Sequence, residues 1–168
     1  MLVRVSFVPV ARSPSEPVWR ATAVNVDAVC TGTQSGTYSP GLTLGPTTQD
    51  VTAHNSYVAC ASSRVHTGER IGANHQVLFC LDLAESSSGS TMITWDTGDA
   101  SQFSFNRTVT HAGGNTVVAF TGLITAGLFA GDGAVEVVSD PDLNLLDCLM
   151  PPGATHRTGG TVLAVTST

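Results

Sequence analysis

The chain has 168 residues, of which only 12% are charged, and its net charge at pH 7 is −6. A chain of this length fits one domain with a sizeable core, and its scarcity of cations argues against a nucleic-acid partner. Thr, Ser, Gly and Val dominate the composition, which favours β-strands and tight turns over helices. No run approaches the roughly 20 apolar residues that a membrane-spanning helix requires.

The N-terminal segment differs in charge from the rest of the chain. Residues 1–20 contain Arg4, Arg12 and Arg20 but a single acid, Glu16, whereas the remainder is strongly acidic. Such an asymmetry indicates a separate functional unit. We therefore predict a flexible arm that binds a partner protein through these three arginines.

Trp19 completes the predicted arm, and a single β-domain is predicted over residues 21–168. Two prolines in residues 11–17 are typical of a linker, because proline lacks a backbone donor and blocks helix formation. The alternative is that the segment is the remnant of a targeting sequence. Its apolar stretch, Met1 to Val10, is short and lacks the small-residue cleavage site of a secretory signal.

The strands are predicted in chain order from alternation and from turn residues. Val24 to Cys30 alternates apolar and polar residues, and Val77 to Leu83 is a nearly continuous apolar run that would lie centrally in a sheet. The clearest strand contains Phe103, Phe105 and Val109 on one face. Arg107 falls on that same apolar face, and we expect it to extend towards the rim.

Glycine-containing turns separate the later strands. They are predicted at Asp96–Asp99, at Gly113–Gly114 and at Gly131–Gly133. Eight or so short strands with turns at this spacing favour an antiparallel β-sandwich, Ig-like or jelly-roll-like, over a barrel.

The four cysteines are the strongest individual residues of the sequence. They are widely spaced and contain no Cys-x-x-Cys pair, which argues against zinc and against a redox dithiol. The members are Cys30, Cys60, Cys80 and Cys148. We predict two disulfides that staple the core and hence an oxidising, extracellular compartment. Four buried thiols in a cytosolic protein are the alternative, and three disulfide connectivities remain open.

Catalytic, cofactor-binding and metal sites are not predicted. The five histidines show no His-x-x-x-His spacing, and Gly-x-Ser-x-Gly is absent. Asp140, Asp142 and Asn144 are spaced like the start of a calcium loop, but Leu145 and Pro151 occupy the places of its glycine and its glutamate. We interpret this stretch as an acidic turn, and we predict a protein without enzymatic activity.

Trp95 is the residue that bears on carbohydrate binding. An exposed indole ring can stack on a sugar, yet Trp95 alternates with Ile93, which favours a position in the core. A carbohydrate- or cell-wall-binding module is therefore kept as an alternative that is not favoured.

Several stretches of turn and strand resemble a group of small secreted, disulfide-bonded β-proteins of actinobacteria such as Streptomyces. The resemblance covers roughly residues 25–166. It is carried by Gly36–Thr43, Ile93–Gly98 with Ser101 and Phe103, Thr121–Gly131 and Asp147–Gly153. The resemblance implies a secreted protein, and it suggests the adaptor component of umbrella-shaped antibacterial toxin particles.

The sequence thus predicts a secreted adaptor that interacts with another secreted protein. Exposed strand edges would accept an extended segment of that partner. A hydrolase or protease inhibitor is a further alternative, which would require a rigid protruding loop.

Overall fold

A computed structural model describes residues 24–80, 86–141, 143 and 145–167 of the chain. Eight β-strands and one five-residue helix account for most of them. In chain order they are β1 (Asn25–Leu42), β2 (Thr47–Ala61), β3 (Gly68–Leu78), β4 (Ser87–Trp95), β5 (Ala100–Ala112), β6 (Asn115–Gly127), β7 (Gly133–Pro141), α1 (Leu145–Leu149) and β8 (Ala154–Ser167).

The strands form a closed antiparallel barrel and not the predicted sandwich. Each strand pairs with the next along the chain, and β8 pairs with β1 along most of its length. Alternation of inward and outward side chains is common to both architectures, so the sequence pattern cannot distinguish them. Pairing of the first strand with the last decides the architecture, and the prediction of a sandwich is wrong.

Strand β1 can take part in closing the barrel because it is long and irregular. Its pairing with β2 shifts in register between Thr31 and Gly32, and such irregularities bend a strand. At Gly32 an added Cβ would lie 1.8 Å from the carbonyl oxygen of Ser56. Glycine is therefore required here for the close approach of the two backbones.

The barrel interior is divided along its axis. The end formed by the start of β1 and the end of β8 is filled with apolar side chains, and we call it the apolar half. Its buried members are Ala28, Cys30, Tyr57, Val65, Ile93, Trp95, Phe103, Ile124, Phe129, Ala134, Leu163 and Val165. Aromatic edge-to-face packing of Trp95 on Phe129, with ring centroids 5.8 Å apart, contributes to this packing.

The two predicted disulfides are present, and the structure gives their connectivity. Cys30 bonds to Cys60 between directly paired positions of β1 and β2. Cys80 bonds to Cys148 and thereby ties the segment after β3 to helix α1. The first disulfide belongs to the apolar half, while the second lies in a small separate core with Leu42.

The predicted hairpins are confirmed. Gly98 lies in the β4–β5 turn, where the Trp95 amide donates to the Asp99 carbonyl. Gly113 and Gly114 join β5 to β6, both with positive φ, which two-residue hairpin turns require.

The prediction of a central strand from Val77 to Leu83 is wrong for the part that the structure describes. Strand β3 ends at Leu78, and Val77 is 63% exposed. Leu81 to Glu85 lie outside the described residues. The apolar run flanks an opening of the barrel wall, so continuous hydrophobicity does not indicate burial on both faces here.

Among the described residues, no helix has the length and apolar character needed to cross a membrane.

Candidate functional site

The second half of the barrel contains an open cavity of about 630 Å³. It lies at the end where β1, β3, β5 and β7 finish and β2, β6 and β8 begin, and we call this end the polar half. Volumes of 300–1,000 Å³ are typical of sites for small organic molecules. An eight-stranded barrel is wide enough to hold one such molecule.

The cavity is reached through a gap in the barrel wall, which we call the β3–β4 split. These strands pair only at Gly68–Arg70 with Ile93–Trp95, although both strands continue further. Beyond these pairs, residues of both strands line the cavity. Gly72 and Gly89 lie one on each side of the split and leave it free of side chains.

The floor of the cavity is a network of buried polar side chains around Glu136, which we call the inner polar cluster. Its carboxylate oxygen Oε1 accepts hydrogen bonds from Asn55 Nδ2, from the Tyr57 hydroxyl at 2.8 Å and from Thr161 Oγ1 at 3.0 Å. The other oxygen forms an ion pair of 2.8 Å with Arg70. A buried carboxylate is tolerated only when it is paired and hydrogen-bonded in this way.

The inner polar cluster separates the two halves of the barrel. Tyr57 contributes its ring to the apolar half and its hydroxyl to Glu136. Burial and the neighbouring carboxylate raise the pKa of Tyr57 far above its usual range. The phenol therefore stays protonated and serves as a hydrogen-bond donor.

A second polar group lies nearer the mouth, and we call it the outer polar cluster. It contains Gln34, Tyr38, Arg107, Asp140 and Arg157. Arg157 is buried, yet its nearest carboxylate, that of Asp140, is 3.6 Å away, and its contact with the Pro141 carbonyl oxygen is 3.5 Å. These distances are long for charge-assisted hydrogen bonds, which are usually 2.7–2.9 Å.

Asp140 is held in place by its neighbours in β1 and β8. When the amide nitrogen of Gln34 faces it, Gln34 donates to both carboxylate oxygens at 3.0 and 3.1 Å. An added Cβ at Gly159 would lie 1.8 Å from Asp140 Oδ1, so glycine makes room for the carboxylate.

Partial desolvation perturbs the outer polar cluster. Burial raises the pKa of Asp140, although Arg157 opposes the shift. Burial also raises the pKa of Tyr38 and lowers that of Arg107. Desolvated charges respond strongly to a charge that enters beside them.

One wall of the cavity is aromatic. Phe105 and Phe120 pack edge to face with ring centroids 5.0 Å apart, and both are only partly buried. The guanidinium of Arg70 lies over the Phe120 ring at 4.8 Å. This wall provides apolar surface directly beside the charged clusters.

The structure separates the residues singled out in the sequence. The predicted arm, with Arg4, Arg12, Trp19 and Arg20, lies outside the described residues and stays a prediction. Trp95 is buried, as its alternation with Ile93 predicted, and donates to Ser101 Oγ at 2.8 Å. It cannot stack on a sugar in this position.

The acidic stretch that begins at Asp140 has a different role from the predicted turn. Asp140 is the penultimate residue of β7 and points into the barrel, while Asp142 and Asn144 lie outside the described residues. The cysteines are used in disulfides, and none of the described cysteines is free. Within the described ranges, no cluster of three or more His, Cys, Asp or Glu side chains could hold a metal ion.

Sequence reasoning missed the two polar clusters. Their signal is a charged residue at an inward position of an alternating strand, as for Glu136 between Ala134 and Val138. Arg107 carried the same signal on the face of Phe103 and Phe105. The expectation that it reaches the rim holds in part, since Arg107 lines the cavity with Phe105.

Fold and site together define a closed antiparallel barrel with an open, polar-lined cavity. Comparison with protein-family models, with curated proteins and with solved structures found no match.

Proposed function

We propose that this chain is a non-enzymatic binding protein that holds a small organic molecule in the polar half of its barrel. The observation that carries the proposal is the cavity of about 630 Å³ behind the β3–β4 split. A sheltered space lined by aromatic rings and a few fixed polar groups is the usual form of a ligand site. The disulfides favour an oxidising compartment, so we place this activity outside the cell.

The cavity supports binding more directly than catalysis. Glu136, the most buried carboxylate, is engaged by Asn55, Tyr57, Thr161 and Arg70. A general base needs a free lone pair within reach of its substrate. The arrangement instead suits a rigid floor that fixes the shape of the site.

A direct test blocks the cavity without disturbing the backbone. Gly72 faces the cavity, and an added Cβ would approach nothing closer than Arg70 Nη1 at 4.0 Å. Gly160 is exposed on the outside of β8, and an added Cβ there would meet nothing within 4 Å. Gly72→Phe and Gly160→Phe are therefore matched variants that add the same ring inside and outside the barrel.

The probe is N-phenyl-1-naphthylamine, an uncharged dye whose fluorescence rises in apolar surroundings. We expect one dye per chain, affinity reduced at least tenfold by Gly72→Phe, and no change with Gly160→Phe. Equal binding by all three proteins, or no binding at all, would overturn the proposal.

A second candidate function is strand addition by a partner protein, which is the predicted adaptor role in structural form. Ile71–Leu78 and Ser87–Met92 face the β3–β4 split without pairing to each other in the described part of the chain. Such edges accept an extended backbone. This observation supports a secreted partner that inserts a strand there.

Random peptides displayed on phage would test this second function. Selected binders should be extended sequences without proline, and they should protect the amides of β3 and β4 at the split from hydrogen exchange. Binders that protect only other surfaces would count against it.

A further inference from the structure

We propose that the ligand of the cavity is an amphipathic organic anion, with an aromatic or aliphatic body and one negatively charged group such as a carboxylate. The inference rests on the proposed function and specifies its ligand. The charged group would lie between Arg107 and Arg157, and the body would lie against Phe105 and Phe120.

The first argument is the charge balance of the polar half. Three arginines, Arg70, Arg107 and Arg157, face two carboxylates, Glu136 and Asp140. Since Glu136 pairs with Arg70, the outer polar cluster carries two guanidinium groups and one carboxylate. The cavity thus has an excess of one positive charge in a chain whose net charge is −6. A singly charged anion would balance it.

The second argument is the contrast between the two buried ion pairs. Arg70 contacts Glu136 at 2.8 Å, whereas Arg157 is 3.6 Å from Asp140 although its side chain is equally buried, at 6% exposure. Nε of Arg157 is buried and makes no hydrogen bond to any described residue. A guanidinium has five donors in a planar fork that fits a carboxylate. Arg157 therefore retains hydrogen-bonding capacity that an incoming anion would use.

The third argument is the surface next to these arginines. Phe105 neighbours Arg107 on the inner face of β5, and Val118 and Val138 also line the cavity. Gly89 lies under Phe105, with 3.2 Å from its constructed Cβ position to the ring, so the ring is exposed towards the split. The apolar part of an amphipathic molecule would cover this wall, and a fully polar anion would leave it exposed.

Other ligand classes fit less well. A cation would meet the excess positive charge, and desolvated like charges repel strongly. A neutral sugar would leave Arg157 without a new acceptor of opposite charge.

The test compares two dyes that differ only in the sulfonate group. N-phenyl-1-naphthylamine is uncharged, and 8-anilinonaphthalene-1-sulfonate carries one permanent negative charge. Fluorescence titration gives the dissociation constant of each. We expect the sulfonate to bind at least tenfold more tightly than the uncharged dye.

Charge-removing variants identify the group responsible. Arg107→Gln should reduce the preference for the sulfonate about tenfold and leave binding of the uncharged dye nearly unchanged. Arg157→Gln should act in the same direction, and if it unfolds the protein, Arg107→Gln decides alone. Arg64→Gln is the matched control, because Arg64 is exposed at the opposite end of the barrel, over Phe129.

The outcomes separate the inference from the function on which it rests. Equal affinity for the two dyes, or a preference that Arg107→Gln does not change, overturns the anion while the cavity remains a binding site. Loss of both dyes in the wild-type chain overturns both proposals. A preference that disappears equally with Arg64→Gln would reflect overall charge and would also overturn the inference.

Discussion

The two halves of the barrel use the same strands and the same alternation, yet one is filled and the other is open. On the inner face of β5, Phe103 is fully buried in the apolar half, and Phe105, two residues later, is only partly buried beside the cavity. Strand β4 pairs with β3 in the apolar half and not beyond it. Where the wall is continuous, the interior is packed, and where it splits, the interior is polar.

This difference assigns stability and binding to different residues. The apolar half is stabilised by burial of large side chains, which contribute roughly 1.5–3 kcal/mol each. The polar half has an inner cluster whose polar groups satisfy one another and an outer cluster with long contacts. We therefore expect the apolar half and the inner cluster to govern unfolding, and the outer cluster to govern ligand affinity.

The largest effect is expected at the boundary between the halves. Glu136→Leu removes the acceptor of three hydrogen bonds and leaves Arg70 as an unpaired buried charge, which typically costs about 3–5 kcal/mol for the ion pair alone. Chemical denaturation would measure the loss. The double variant with Arg70→Met should recover part of it, and a neutral effect of Glu136→Leu alone would contradict the described network.

A comparison within one strand tests the division of the interior. Phe103→Ala should reduce the free energy of unfolding by about 3–5 kcal/mol, because it opens a void in a filled core. Phe105→Ala should cost only about 1–2 kcal/mol, because the ring already borders open space. Dye affinity should fall with Phe105→Ala and stay unchanged with Phe103→Ala. Equal losses of stability would mean that the two halves are packed alike.

Removal of the disulfides gives a smaller difference between the two ends. They span 30 and 68 residues for Cys30–Cys60 and Cys80–Cys148. Loop-closure entropy predicts losses of about 3.6 and about 4.4 kcal/mol for the respective double alanine variants. Thermal unfolding would rank the two. A larger loss for the Cys30 and Cys60 pair would show that packing in the apolar half outweighs chain entropy.

The smallest effect expected is a pH dependence confined to the polar half. Burial raises the pKa of Asp140, so its ionised form is disfavoured in the folded state and its contribution to stability declines as pH rises through that pKa. Its protonation on acidification would remove the negative charge beside Arg157, and the sulfonate dye should bind more tightly. Titration with dye between pH 7 and pH 4 would measure this. Asp140→Asn should flatten the profile, and an unchanged slope would assign the effect to another group.

The parts of the fold that depend on neighbouring residues could be predicted from the sequence. The hairpins at Gly98 and at Gly113–Gly114 follow from local turn chemistry, and the alternation of Phe103 and Phe105 identified an inward face. Barrel closure could not be predicted, because it depends on pairing between the first and last strands. The same holds for the choice among three disulfide connectivities.

The candidate site was hidden for a related reason. Glu136 and Arg70 lie on different strands, and each residue alone resembles a solvent-exposed charge. Only the closed barrel brings them together with Asn55 and Tyr57. A charged residue at an inward position, as at Arg107, was the one signal that the interior is not wholly apolar.

The central claim is that one end of the barrel is filled and the other holds a ligand. A crystal structure of the protein with 8-anilinonaphthalene-1-sulfonate bound would test it most directly. We expect the rings against Phe105 and Phe120 behind the β3–β4 split, with the sulfonate within hydrogen-bonding distance of Arg107 or Arg157. A dye bound among the residues of the apolar half, or only on the outer surface, would contradict the account.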